Sequence, residues 1–217
     1  MNLIPKRWDL RPRKRRVMPD DIARLIAALA RPSGDSSDFD LNPAVAKPPG
    51  RVLRPAAVLV PIWLRPDGAR LILTKRASHL QHHPGQIAFP GGKVDATDSG
   101  PEAAALRESW EEIGLPVARV EILGRLPNHE TVTSYTMTPI LGVIRGDFFP
   151  VPEAGEVDEV FSVPLSHVLD PARYVIEGRM WMGQKRRYYT VPYGPYYIWG
   201  ATARILRGLA ERERGAA

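Results

Sequence analysis

The stretch Phe89–Gly114, FPGGKVDATDSGPEAAALRESWEEIG, runs from a proline-glycine-glycine turn into a segment crowded with Glu102, Glu108, Glu111 and Glu112. Ser99 followed three residues later by Glu102 has the spacing of a capping box, which closes two free amides at a helix start. Gly114 suits the left-handed residue that ends a helix. The spacing therefore predicts a helix over about 101–113. With Glu108 at zero and about 100° per residue, Ala103, Leu106, Trp110 and Ile113 fall in one stripe, expected to pack on a sheet. Glu111 and Glu112 flank Glu108 on the opposite face, with neighbouring Cβ atoms roughly 5–6 Å apart. Arg107 is placed to reach only Glu111, and no base follows at 115 or 116. Two readings stay open at this point. The carboxylates form a solvated helix face, or they hold a hard divalent cation such as Mg²⁺, which takes oxygen ligands. Gly91 and Gly92 favour the second, because a glycine turn lets backbone approach a ligand closely.

The chain around this stretch sets bounds. Its 217 residues, 44% hydrophobic, suffice for one good core, perhaps with an appendage. No apolar run approaches the roughly 20 residues needed to span a bilayer, and the N-terminus lacks the apolar centre of a secretory signal. With no cysteine, disulfides, thiolate metal sites and cysteine nucleophiles are excluded, and a cytoplasmic location is expected. The net charge of +6 belongs to an arm. Residues 1–16 hold seven bases and one acid, which leaves the rest balanced. A solubilising tail is the plain reading of that arm, and contact with RNA, anionic lipid or a partner is the alternative.

From Pro19, IARLIAALA reads as a helix over about 20–30, followed by PSGDSSDFDLNPAVAKPPG, a linker or a loop wrapped on the body. AAVLVPIWL and RLILTKR, joined by Arg65-Pro-Asp-Gly68, read as a hairpin. Short strands are expected around VEILGRL, MTPILGVI, EVFSVPL and RRYYTVPY, a short helix at SHVLDPARY, and a closing helix at IWGATARILRGLAERE. The mixture implies an α/β or α+β fold with the sheet between helices. His79, His82 and His83 lie in a loop, where facing substrate or packing outweighs a transition-metal site. The basic, aromatic run WMGQKRRYYTVPYGPYYIW is expected to be strand and core, with one ring free to stack on an adenine.

The decisive stretch resembles the Nudix hydrolases, whose box reads G-x5-E-x7-R-E-U-x-E-E-x-G-U, with U aliphatic. Gly92, Arg107, Glu108, Glu111, Glu112, Gly114 and Leu115 match. The interval from Gly92 to Arg107 is one residue longer than the box, Asp98 stands at its first acidic position, and Ser109 replaces an aliphatic residue. Upstream, LILTKRASHLQHHPGQIAFPGGKVD is similar to the extra signature of the coenzyme A pyrophosphatase subgroup, with Gln81 in place of an arginine.

The resemblance implies a Nudix-type α/β/α sandwich with a mixed sheet, over about 50–207. Outside it lie a basic arm at 1–18, a helix and linker at 19–49, and a polar tail at 208–217. It implies Mg²⁺ or Mn²⁺ on Glu108, Glu111 and Glu112, catalytic roles for Glu108, Arg107 and Glu156, and substrate contacts from Lys75, Arg76, Gln86, Gly91 and Gly92. Asp98 is expected to shape the loop. The implied reaction is hydrolysis of coenzyme A or its derivatives to 3′,5′-ADP and 4′-phosphopantetheine. Another nucleoside diphosphate derivative (ADP-ribose, a dinucleotide) or a non-catalytic binding module are the alternatives. The expected partner is a small nucleotide, with no membrane and no nucleic acid. The first helix is expected to pack on the body or in a homodimer.

Overall fold

The computed structural model describes residues 19–181 and 183–215; the basic arm lies outside the described residues. Four helices are present: α1 (Pro19–Leu29), α2 (Pro101–Ile113), α3 (Leu165–Val168) and α4 (Gly200–Arg214). The strands are β1 (Ser36–Ser37), β2 (Arg54–Arg65), β3 (Gly68–Arg76), β4 (Ile87–Ala88), β5 (Gly91–Lys93), β6 (Val120–Arg125), β7 (His129–Glu130), β8 (Tyr135–Ile144), β9 (Val157–Pro164), β10 (Val175–Trp181) and β11 (Gln184–Thr190). Nine of them form one mixed sheet, while β10 and β11 pair antiparallel with each other.

β2 is the spine of the sheet. It runs parallel to β8 from Arg54 opposite Tyr135 to Trp63 opposite Ile144, and antiparallel to β3 and β5. Its residues Ala56–Ile62 are a continuous apolar run because both faces are covered. Val58, Val60 and Ile62 face α1, α3 and α4, whereas Ala57 and Leu59 face α2. The architecture is thus an α/β/α sandwich with a mixed sheet.

Five expectations need correction or extension. First, α2 starts one residue late for a capping box. Pro101, which has no N–H to satisfy, takes the first helical position, Gly100 precedes it as cap, and Glu102 pairs with Arg125 instead. Second, the buried face of α2 overlaps the expected stripe only in part. Ile113 is buried and Leu106 packs against the core as expected, but Trp110 is 55% exposed, and Ala104, Ala105, Ser109 and Glu112 are buried in its stead. Small side chains let the helix lie close to β2 and β5, so the glutamates at 108 and 112 point inward. Third, the closing helix runs to Arg214. Residues 208–214 are not a tail: Leu209 and Ala210 join the core, and Glu213 is buried against Arg24.

Fourth, the segment before residue 50 is built into the body. Leu25 and Ala28 of α1 pack in the same core as Leu206 and Leu209 of α4. β1 pairs parallel with β7, and Asn42 exchanges two hydrogen bonds with the Arg187 backbone, at 2.9 and 2.7 Å. Fifth, β10 was not expected as a strand. Its mixed sequence VIEGRMW gains order by pairing with β11 over seven residues, from Val175 opposite Thr190 to Trp181 opposite Gln184.

Candidate active site

The glycine turn brings backbone against carboxylates. At Gly91 (φ 149°) a Cβ would lie 2.5 Å from the Ala57 carbonyl oxygen, and at Gly92 it would lie 2.5 Å from the Glu108 carboxyl carbon. No larger residue fits either position without displacing β2 or Glu108. The Gly91 N–H donates to Glu112 Oε2 at 3.1 Å. The turn therefore serves the α2 carboxylates first, beyond any approach of backbone to a ligand.

Glu112 is 4% exposed. Burial pushes its pKa up to about 8, against the Gly91 hydrogen bond; repulsion from Glu108 and Glu156 adds to the rise and Arg76 opposes it. Glu108 is also raised, by burial first, although Arg107 partly offsets this while Glu111 and Glu156 reinforce it. Arg107 reaches far more than Glu111. It donates to Asp98 Oδ1 and Oδ2 at 3.1 and 3.0 Å, to Glu108 Oε1 at 3.0 Å, to Glu111 Oε2 at 2.9 Å and to the Lys93 carbonyl at 3.2 Å. Its long side chain folds back across the loop, a direction that helical angles alone do not capture. Asp98 also accepts from the Asp95 N–H at 2.8 Å, closing the loop before α2. Ser109 returns its hydroxyl to the Ala105 carbonyl at 2.6 Å, which satisfies it at a buried position.

A cavity of about 820 Å³ opens in front of Glu108, Glu112 and Glu156. Arg76, Gln86, Gly91 and Gly92 line it with them; Arg107, Glu111 and Lys75 do not. Arg107 thus positions Glu108 and does not face the cavity, and Glu111, with its side chain 54% exposed, is turned outward to Arg107. Glu111 thus stands beside Arg107, apart from the cavity lining that Glu108 and Glu112 share. Lys75 points to the other face of β3, since neighbours on a strand alternate. It lines a second cavity of about 800 Å³ with Glu159, Tyr196 and Tyr197. His83, Gln86, Arg179 and Trp199 line both cavities and so form their junction. His83 adopts φ 55°, rare for a side chain of its size. Its pKa is lowered by burial and then by Arg76, His82 and Arg179.

Sequence reasoning missed several residues that line the first cavity: Asp38, Asn42, Arg54, Tyr135, Arg179 and Tyr188. Arg54 stacks on Tyr135 at 4.1 Å and Arg179 on Trp199 at 4.2 Å. The basic, aromatic run at 181–199 was the one available signal for part of it.

The donor chemistry fits a hard divalent cation. Glu112 is a buried carboxylate with no ion-pair partner among the described residues, and Glu108 and Glu156 share its cavity. Among the described residues no three acidic or histidine side chains form a closed metal cluster. Mg²⁺ is commonly held by one or two carboxylates plus water and substrate phosphate.

Comparison with known proteins agrees with this geometry. Residues 53–181 match the NUDIX domain. The chain is 46% identical over 157 residues to the Uncharacterized Nudix hydrolase NudL of Enterobacter sp. (strain 638), covering 72% of this chain and 81% of that one. It is 45% identical over 157 residues to NudL of Escherichia coli (strain K12), with the same coverage. The crystal structure of a Nudix hydrolase from M. smegmatis, RenU, is similar at 25% identity and TM-score 0.47, covering 57% of this chain and 84% of that one. With the matched domain spanning more than half its length and built around the carboxylates of α2, this chain belongs to the Nudix family of hydrolases, which act on pyrophosphate bonds.

Proposed function

We propose that the protein hydrolyses the diphosphate linkage of coenzyme A or its derivatives, giving 3′,5′-ADP and 4′-phosphopantetheine or its acylated form. The observation that carries this reading is one cavity lined both by the carboxylates Glu108, Glu112 and Glu156 and by Arg76, Arg54, Arg179, Tyr188 and Trp199. A metal-bound diphosphate suits the carboxylates with Arg76, and a nucleoside suits the rings. The subgroup signature supports the same choice, because Arg76, Gln86, Gly91 and Gly92 all line this cavity. Gln81, which stands where that signature has an arginine, is exposed and lines neither cavity.

Glu112 and Glu108 would hold Mg²⁺ or Mn²⁺. The bound ion supplies positive charge against the phosphoryl oxygens and makes water more acidic. Arg76 grips a phosphate oxygen from the β3 side, since its guanidinium offers paired donors. Arg107 keeps Glu108 in place from behind. Glu156, exposed at the cavity mouth, accepts a proton as water adds to one phosphorus and the bridging P–O bond breaks. The leaving phosphate carries away the bridging oxygen.

The test is a side-by-side assay with Mg²⁺ or Mn²⁺ against coenzyme A, ADP-ribose, NADH and capped RNA. Coenzyme A is expected to give the highest kcat/KM. A higher value for ADP-ribose would move the reading to another nucleoside diphosphate derivative. No turnover of any of them would overturn it in favour of a binding module.

A further inference from the structure

Successive residues of β3 send two cations in opposite directions. Arg76 enters the cavity of the glutamates, while Lys75 enters the neighbouring one. A diphosphate held at Glu108 and Glu112 lies on the Arg76 side of the strand, so Lys75 cannot grip the same group. Its cavity has its own electrostatic character. Arg179 joins Lys75 there, and neither has a carboxylate partner among the described residues. Glu159 lies opposite Lys75 in the ladder with β9, but the Tyr196 hydroxyl donates to it at 2.5 Å. Tyr196 is itself held by stacking on Phe161 at 3.6 Å. Two cations without a carboxylate partner among the described residues, and one engaged carboxylate, leave room for an anion. The two cavities adjoin at His83, Gln86, Arg179 and Trp199, which line both, so a group in one lies beside a group in the other.

We infer that the Lys75–Arg179 cavity binds a second phosphate of the substrate, a phosphomonoester on the nucleoside ribose remote from the bond that is cleaved. This inference rests on the reading that the substrate is a coenzyme A-like nucleotide, whose 3′-phosphate is such a group. A phosphomonoester carries close to two negative charges at neutral pH, and a lysine and an arginine facing it from two strands match that charge. The same arrangement discriminates against nucleotides lacking the group, because the two cations would then be left partly desolvated without a counterion.

The experiment measures binding of adenosine 3′,5′-bisphosphate and of 5′-AMP to the full chain by calorimetry. The wild type is expected to bind the bisphosphate at least about tenfold more tightly, as two charge-assisted contacts imply. That ratio is expected to fall toward one in Lys75→Met, to survive in Lys75→Arg, and to survive in Arg54→Met, which removes a cation from the first cavity. Equal binding of the two nucleotides by the wild type, or a ratio that collapses in Arg54→Met and not in Lys75→Met, overturns the inference. The outcome is separable from the assay of the preceding section. Cleavage of coenzyme A without a bisphosphate preference sinks this inference alone. A Lys75-dependent preference without cleavage of coenzyme A sinks the substrate reading and leaves the phosphate site standing.

Discussion

Two carboxylates that line the main cavity, Asp38 and Glu112, meet opposite fates. Asp38, in the segment before the matched domain, is mostly buried, and burial by itself would raise its pKa. The His129 ring at 3.1 Å, the Val132 N–H at 2.8 Å and the nearby Arg186 outweigh that effect and hold it below the usual range. His129 in turn shares its other ring nitrogen with Ser36 at 2.9 Å, so the whole group is satisfied within the protein. Glu112 is also buried but receives one backbone N–H and has no ion-pair partner among the described residues, and its pKa is pushed up to about 8. Burial is common to both, and the partner decides. A carboxylate satisfied by its own fold contributes to stability; one left unsatisfied is a place where the fold awaits a positive charge.

Removing each of these charges should therefore have different consequences. Glu112→Gln keeps an acceptor for the Gly91 N–H but removes the anion; kcat with Mg²⁺ or Mn²⁺ is expected to drop roughly 100- to 1,000-fold in steady-state assays. Gly92→Ala, whose new methyl would press on the Glu108 carboxylate, is expected to lower kcat about 100-fold by misplacing that group. Its urea-unfolding midpoint should move little, because the atoms displaced are the end of a flexible side chain. Asp38→Asn is expected to act on stability, by about 1–2 kcal/mol at pH 7 in urea unfolding, since it weakens a hydrogen bond to a charged group. Asp38 has a depressed pKa, so its contribution is present above the ordinary carboxylate range and disappears as pH falls through the folded value. The difference between wild type and Asp38→Asn should accordingly vanish in acid.

Much of this site was legible in the chain. Arg107, Glu108, Glu112 and the two glycines stand at spacings that only a helix behind a tight turn would bring together, and the structure does so. The orientation of α2 was less legible. Leu106 and Ile113 of the expected stripe do pack on the core, but Trp110 does not, because Ala104, Ala105 and Ser109 lie against the sheet and turn it outward. The separation of Lys75 from Arg76 was implicit in the two-residue period of a strand. What each would face was not, because Arg179 and Trp199 come from elements a hundred residues away in sequence. The role of Asp38 and Asn42 was hidden for a related reason. A Pro, Ser and Asp-rich segment carries no periodicity, and its order comes from single contacts to His129 and Arg187.

Glu112 is proposed as a carboxylate that takes the cation, and the pH dependence of stability is the test of that role. A folded-state pKa of about 8, above the ordinary value of 4.5, means that the metal-free protein has its full stability below pH 4.5 and loses some as pH rises through 8. Urea unfolding of wild type and Glu112→Gln in chelator, from pH 5 to 8.5, should show the wild type losing at most about 1.4 kcal/mol per pH unit while the variant stays nearly level. Mn²⁺ should restore the wild type most strongly at the alkaline end, where the proton is most easily displaced, and leave the variant nearly unmoved. Parallel pH profiles for the two proteins, with equal stabilisation of both by Mn²⁺, would contradict the account.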